Sequence, residues 1–334
     1  MKYKIHKNMI SIATLLLISL LTINIEKIQA STLKLTIQTN KSKFDFGETL
    51  VINGTLTSNG IPVNDALVAI QIVDSSDESL IYRTLNTGTN PQITWLIEIL
   101  GVTPSDESGN PITSFKRGHH AYFKVSVKNN AGEPKYVYLT LTLFYQLSNE
   151  TPFKAVVYYI GYVPTGITYF IPSVVIPDNA PLCTAKVYAN AYTNLPKDVG
   201  YAYCPEESAT FIIIGSGASG SFAESIAENP VGEYVLTLNL PSNFLRVGNY
   251  TAYVSTIYRS TQAFAYATFG VVLVGDINED SIVDIFDAVI LSKASGSRPG
   301  DPNWNEKCDL NNDGIIDIFD AVKLAANAGK QAKT

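Results

Sequence analysis

The chain of 334 residues is short of the side chains that soft-metal and nucleophile chemistry requires, with only three His and three Cys. Histidine-rich metal catalysis, zinc ribbons and a Cys-His nucleophile are therefore poorly supplied. Charge is scarce too, at 16% of residues, and 24 basic against 30 acidic side chains give a net of -6. That balance lacks the broad positive field of a nucleic-acid binder. No Gly-x-Ser-x-Gly elbow, phosphate-binding loop or zinc helix occurs. Gly215 to Gly220 reads as a linker, since no helical pattern with a lysine follows. What the chain has is apolar material, 46% of residues, enough for two or three domains rather than a disordered tail. Carboxylate chemistry and oxygen-ligated metals remain open.

Residues 1–30 differ in composition from the rest. Lys2, Lys4 and Lys7 precede an apolar run from Met9 to Ile25, and Ala30 offers a small residue for cleavage. This predicts an export signal; an uncleaved anchor is the alternative, because the run approaches the length needed to span a bilayer. With the signal removed, no further membrane span is expected, and the protein is expected to be secreted or associated with the cell surface.

From Leu33 to Val274 the pattern is that of strands. Apolar residues alternate at Val68, Ile70 and Ile72, at Ile93, Trp95, Ile97 and Ile99, at Phe123, Val125 and Val127, and at Val137, Leu139, Leu141 and Leu143. The alternation returns at Tyr234, Leu236, Leu238 and Leu240, and at Tyr250, Ala252 and Val254. Turn-forming clusters around Gly60, Gly109, Gly132 and Gly248 separate these runs. The expected fold class is mainly β: tandem antiparallel sandwiches followed by a small all-α module. The expected boundaries are 31–118 for a first sandwich, 119–215 for a second, 216–274 for an extra β segment without an assigned partner, and 275–334 for the last module. The stretch from Lys43 to Glu48, followed by Leu50 to Gly54 and Val63 to Val68, resembles the Ig-like and macroglobulin-type modules of bacterial surface proteins. The second sandwich is similar to adhesion-related modules of archaeal surface proteins.

Cys183 and Cys204 fall within the second sandwich. In an exported protein the pair is read most simply as a disulfide contributing about 3 kcal/mol, with Cys308 left free. Asn40, Asn53, Asn149 and Asn249 head acceptor triplets for N-linked glycan, a pattern that also arises by chance in a chain rich in Asn and Thr.

The most specific signal is a repeat at the C-terminus. Residues 275–334 hold 6 basic and 11 acidic side chains, and the acids recur in two copies of one twelve-residue pattern. Calcium takes six to eight hard oxygen ligands, which such a loop supplies from positions 1, 3, 5, 7, 9 and 12. In the first copy these are Asp276, Asn278, Asp280, the Ile282 carbonyl, Asp284 and Asp287. In the second they are Asp309, Asn311, Asp313, the Ile315 carbonyl, Asp317 and Asp320. Two calcium ions are expected. Val283 and Ile316, at the eighth position of each loop, are expected to pair with each other. Position six, where the turn favours a positive backbone angle, is Gly314 in the second loop and Ser281 in the first. The first loop is accordingly expected to be weaker by roughly 1–2 kcal/mol.

Asp instead of Glu at position twelve, with no helix before either loop, makes this segment resemble a dockerin. The resemblance covers roughly the last 60 residues and implies a cohesin-type partner on a scaffolding or cell-surface protein. It also implies recognition through loop positions ten and eleven, here Ile285 and Phe286, and Ile318 and Phe319. The absence of a Pro/Thr-rich linker suggests a module held against the preceding sandwich, so an intramolecular calcium cap stands beside docking to another protein. Dockerins often accompany polysaccharide hydrolases. Glycosidases need two carboxylates flanking a cleft, yet Glu98, Asp106, Glu107, Glu206 and Glu207 show no pairing in sequence, and no enzyme is expected. Polysaccharide binding is the further alternative, because Tyr158, Tyr159, Tyr162, Tyr188, Tyr192, Tyr201 and Tyr203 cluster in the second module, although tyrosine is also an ordinary strand residue.

Overall fold

The computed structural model describes residues 32–89, 94–215, 229–241 and 245–333. The signal-like segment, Ile93 and most of the linker from Gly215 to Gly220 lie outside these residues. Alternating runs form strands β1 (Leu33–Leu35), β2 (Gln38–Thr39), β3 (Lys43–Asp45), β4 (Thr49–Ser58), β5 (Ile61–Pro62), β6 (Leu67–Val73) and β7 (Ser79–Asn86). Next come β8 (Ile97–Ser105), β9 (Ser114–Lys116), β10 (His120–Asn129), β11 (Lys135–Gln146), β12 (Glu150–Val163), β13 (Gly166–Phe170), β14 (Ser173–Val175), β15 (Thr184–Tyr192) and β16 (Glu207–Ile214). Strands β17 (Glu233–Asn239), β18 (Gly248–Tyr258) and β19 (Thr261–Val272) precede helices α1 (Ile285–Ala294) and α2 (Ile318–Asn327).

The strands build two sandwiches, nested rather than in tandem. One sheet of the first has the order β1-β4-β17, and the other is β3-β19-β18-β6-β7. The β segment after residue 216 thus completes the first sandwich. Strand β17 lies on β4 in the register Tyr234↔Gly54 and Leu238↔Leu50, and β18 lies on β6 with Val254↔Ile70. The second sandwich, β8 to β16, is inserted between β7 and β17. Its sheets are β13-β10-β14, with β8 also on β10, and β12-β11-β15-β16-β9. The boundary expected at residue 118 therefore moves ahead of β8, because β8 and β9 pair only inside the second sandwich. Sequence periodicity assigns a strand its face but not its neighbour, which explains both corrections.

The two sandwiches repeat one strand order. In each, a short strand (β3, β9) runs parallel to the last strand (β19, β16) and places one phenylalanine in the core. These are Phe44 and Phe115, both buried, and burial of such a ring contributes about 1.5–3 kcal/mol. Gly54 in β4 is required by close approach: a Cβ there would lie 2.0 Å from the Thr36 carbonyl oxygen and 2.4 Å from Tyr234 Oη. The Tyr234 hydroxyl donates to that same carbonyl.

Strand β6 is buried on both faces, since one side meets the first core and the other meets the second sandwich. At that second face Leu67 and Ala69 of β6 and Tyr82 of β7 pack with Tyr192 and Ala202. Several polar groups in the seam are partnered, as burial demands, whereas Asn190 Oδ1 and Thr140 Oγ1 are buried without a hydrogen-bond partner among the described residues. Gln71 donates to Ser79 Oγ and accepts from the Lys197 amide. Arg83 reaches Glu206 at 2.8 Å and Glu150 at 3.0 Å, with its guanidinium 3.5 Å from the Tyr188 ring centroid. Burial works against the Arg83 charge, but Glu206, Tyr188 and Glu150 outweigh it and raise its pKa.

The expected disulfide is absent: Cys183, Cys204 and Cys308 are free thiols. The Cys183 carbonyl accepts from the Ile213 amide at one end of β15, whereas Tyr203, next to Cys204, bonds Ala191 near the other end. About eight residues of strand, roughly 26 Å, separate these levels, and a disulfide needs Cα atoms within about 7 Å. Burial pushes the Cys204 thiol up to about 12, so it behaves as a core residue.

Candidate calcium-loop module

The two acidic loops fold alike because the same residues bond the same amides 33 positions apart. Asp276 accepts from the amides of Asp280 (3.1 Å) and Ser281 (3.0 Å), and Asp309 from those of Asp313 (3.1 Å) and Gly314 (3.0 Å). Asn278 Nδ2 donates to Asp280 and Asn311 Nδ2 to Asp313, both at 2.8 Å. The amides of Ile282 and Ile315 donate to Asp280 and Asp313. Asp284 and Asp317 are helix N-caps, and Asp287 and Asp320 complete reciprocal capping boxes with them, an arrangement that satisfies two otherwise orphaned amides at each helix start. Asp287 also accepts from Ile277 and Asn278, and Asp320 from Asn311. Ser281, like Gly314, has a positive φ, 74° against 82°, so the strain expected at Ser281 is present.

Asp287 and Asp320 are wholly buried, yet no lysine or arginine among the described residues pairs with any of the eight loop carboxylates. Burial, then repulsion from Asp287 and Asp280, holds the Asp276 carboxyl above the usual range despite its amide bonds. Among the described residues no three carboxylate, imidazole or thiol groups close around one point. Each loop nevertheless presents an ordered set of hard oxygen donors without a compensating cation, and that donor chemistry fits calcium.

The eighth positions do not pair with each other. Val283 bonds Gly329 and Lys330 beyond α2, and Ile316 bonds Gly296 and Ser297 beyond α1. Each loop is thereby tied to the segment following the opposite helix, which joins the two repeats crosswise. Val283, Leu291, Cys308, Ile316 and Leu324 form the module's interior, continuous with the core of the first sandwich.

A tail the sequence did not single out fastens the module. The Ala332 amide donates to Ser281, and the Lys333 amide to Leu245 in the sandwich. Lys330 Nζ donates to the Phe46 carbonyl at 2.5 Å, and Lys333 Nζ pairs with Glu78 at 2.5 Å. Asn327 Nδ2 donates to Val274. This fastening leaves the helix starts open: Ile285, Phe286, Ile318 and Phe319 are each about two-thirds exposed, joined by Val289 and Val322 one turn on. The two valines follow from the spacing i, i+1, i+4 on a helix, a signal that was readable in sequence.

The remaining candidates scatter. Asn40 uses its side chain on Val51 and Thr49, Asn149 bonds Asn239, Asn53 lies within β4 and Asn249 is exposed in β18. Of the tyrosines, Tyr188 and Tyr192 are buried in the seam, Tyr158 and Tyr159 pack on Phe170, and Tyr162 stands exposed beside Tyr136 with ring centroids 5.0 Å apart. Asp106 holds its own turn through Ser108 and Asn110. Glu206 is committed to Arg83. Burial, then the charges of Glu98 and Glu206, raise the Glu207 pKa.

These paired loop-helix units, the first entered from a strand and the second from a single 3-10 turn at Glu306–Cys308, define a class of calcium-loop module. Residues 274–327 match the dockerin type I domain family, whose members bind calcium. No curated protein matches the chain significantly. Among solved structures, a Niemann-Pick type C2 protein from the Japanese carpenter ant is similar at 10% identity and a TM-score of 0.26, over 37% of this chain and 96% of that one. The sporulation control protein Spo0M of Bacillus subtilis gives 10%, 0.23, 53% and 91%. The alkylpurine DNA glycosylase AlkC of Pseudomonas fluorescens gives 10%, 0.27, 36% and 30%. At those scores the similarities carry no argument. Among the described residues no helix is long and apolar enough to cross a membrane.

Proposed function

We propose that the protein is a secreted or cell-surface, non-catalytic assembly component whose calcium-loaded dockerin docks onto a cohesin-type receptor. Asp276, Asn278, Asp280, Ile282, Asp284 and Asp287 would hold one calcium ion, and Asp309, Asn311, Asp313, Ile315, Asp317 and Asp320 a second. Bound calcium would supply four positive charges against the net -5 of residues 275–334. The nested sandwiches, which we read as Ig-like, serve as the rigid carrier.

The observation that carries this reading is the exposure of both apolar helix starts while the module is fastened to its own sandwich. Contiguous exposed apolar patches mark interaction sites. The fastening favours a second role as a structural cap, and the two are compatible, because the tail and the helix starts use different surfaces. The test is calcium-dependent capture of the full chain on a panel of immobilised cohesins. Binding in calcium, its loss in chelator and its loss in a Phe286→Asp, Phe319→Asp double variant that still takes up calcium are expected. Capture that ignores both the chelator and the double substitution would overturn the docking reading and leave the cap.

A further inference from the structure

Where the two sandwiches and the C-terminal tail meet, a partly open cleft of about 650 Å³ lies outside everything described for the dockerin. Its volume is in the range of ligand sites, roughly 300–1,000 Å³. The β11–β12 hairpin contributes Tyr145 and Phe153, whose rings stack with centroids 4.2 Å apart and planes within 13°. Pro152, Pro177, Pro181 and Pro241 stiffen the walls.

The polar groups of the lining divide into committed and uncommitted. Lys333 is held by Glu78, and Arg246 Nε lies 3.3 Å from Asp74. Among the described residues Lys154, beside Phe153, makes no ion pair or hydrogen bond, although its charge reaches Glu78, and neither the Tyr145 hydroxyl nor the Asn179 side chain has a hydrogen-bond partner. The lining carries three cations (Lys154, Arg246, Lys333) and two carboxylates (Asp74, Glu78). It is thus net positive in a chain of net -6.

A flat aromatic surface, one uncommitted ammonium and two uncommitted neutral polar groups ask for a ligand with a ring face, one acid and several hydroxyls. We infer that this cleft binds an acidic glycan, with a uronate-type ring laid against the outer face of the Tyr145–Phe153 stack. Its carboxylate is met by Lys154, and its hydroxyls by Tyr145 Oη and Asn179. A partly open cleft suits a chain passing through better than an enclosed small molecule.

The test is calorimetric titration of the full chain in saturating calcium with a galacturonate hexamer, alongside a neutral glucose hexamer and benzoate. The acidic hexamer is expected to bind, weakening as salt rises, while the neutral hexamer and benzoate bind at least tenfold more weakly. Lys154→Met is expected to lower affinity about tenfold and to flatten the salt dependence, and Tyr145→Phe to lower it about threefold while keeping the ring. Unchanged melting and calcium uptake would show both variants folded. No binding of the acidic hexamer, equal binding of the neutral hexamer or of benzoate, or an unaltered Lys154→Met variant would each overturn the assignment. None of these results bears on cohesin docking, so the two readings fail separately.

Discussion

The two acidic loops share a set of amide-to-carboxylate bonds but not a neighbourhood. The first carries Ser281 at its left-handed position and is sewn by Val283 and Ser281 to the tail, which continues to Leu245 in the sandwich. The second carries Gly314 and, among the described residues, bonds only within the module, through Ile316 to Gly296 and Ser297. By composition the first loop is the weaker by roughly 1–2 kcal/mol. Against that strain stand four backbone hydrogen bonds of the tail, each contributing about 0.5–1.5 kcal/mol. A loop that the tail keeps folded already carries its strain before metal arrives, so the strain is charged to folding rather than to binding. Pre-organisation and sequence preference thus pull in opposite directions on the same loop.

Chelation should expose this difference most. Because ligand geometry exists only in the folded loop, calcium affinity is folding free energy. In chelator, amides of residues 309–320 should lose exchange protection nearly completely, while Val283 and Ala332 keep a measurable part of theirs and the sandwich strands barely respond. Equal loss at both loops, followed by amide exchange, would remove the tail from the account.

Ending the chain after Ala328 should abolish the difference by cutting the bonds of Gly329, Lys330, Ala332 and Lys333. A stability loss of about 3 kcal/mol is expected by denaturant unfolding in calcium, with the first loop now the first to open. A loss below about 1 kcal/mol would mean that the continuous core alone holds the module.

Ser281→Gly should act in the other direction and more gently. Relief of the left-handed strain is expected to stabilise the first loop by about 1 kcal/mol, read as about fivefold tighter calcium binding once the tail has been removed, and as less than that with the tail in place. An equal gain in both backgrounds would show that strain and tail act independently.

Mild acid provides the control, with no expected effect on the difference between the loops. Burial works against the Glu150 charge, but Arg83, Tyr188 and Gln146 hold its pKa below the ordinary 4.5. A carboxyl depressed in the folded state contributes stability that is complete above its unfolded value and is lost as pH falls through its folded value. The seam between the sandwiches should therefore loosen below about pH 4.5, seen as earlier proteolysis across β7 and β12. Loosening that begins instead on raising the pH from neutrality would contradict this sign.

The sequence by itself determined what is local. Ligand spacing, the N-caps Asp284 and Asp317 and the left-handed turns all lie within one twelve-residue loop, where backbone and side chain of near neighbours decide the geometry. The strand character of Val137 to Leu143 or Tyr250 to Val254 was equally legible, because period-two alternation reports a buried face. Tertiary structure alone decided which strands meet. Nothing in Tyr234 to Leu240 announces β4 as its partner across some 180 residues, and a strand pattern is satisfied by any apolar sheet of matching register. The same blindness produced the disulfide expectation, since twenty residues of separation do not reveal that Cys183 and Cys204 stand at opposite ends of β15. It also concealed the tail, whose short polar sequence has no periodicity to read. Its role rests on backbone amides, which every residue but proline carries and which only a folded neighbour can select.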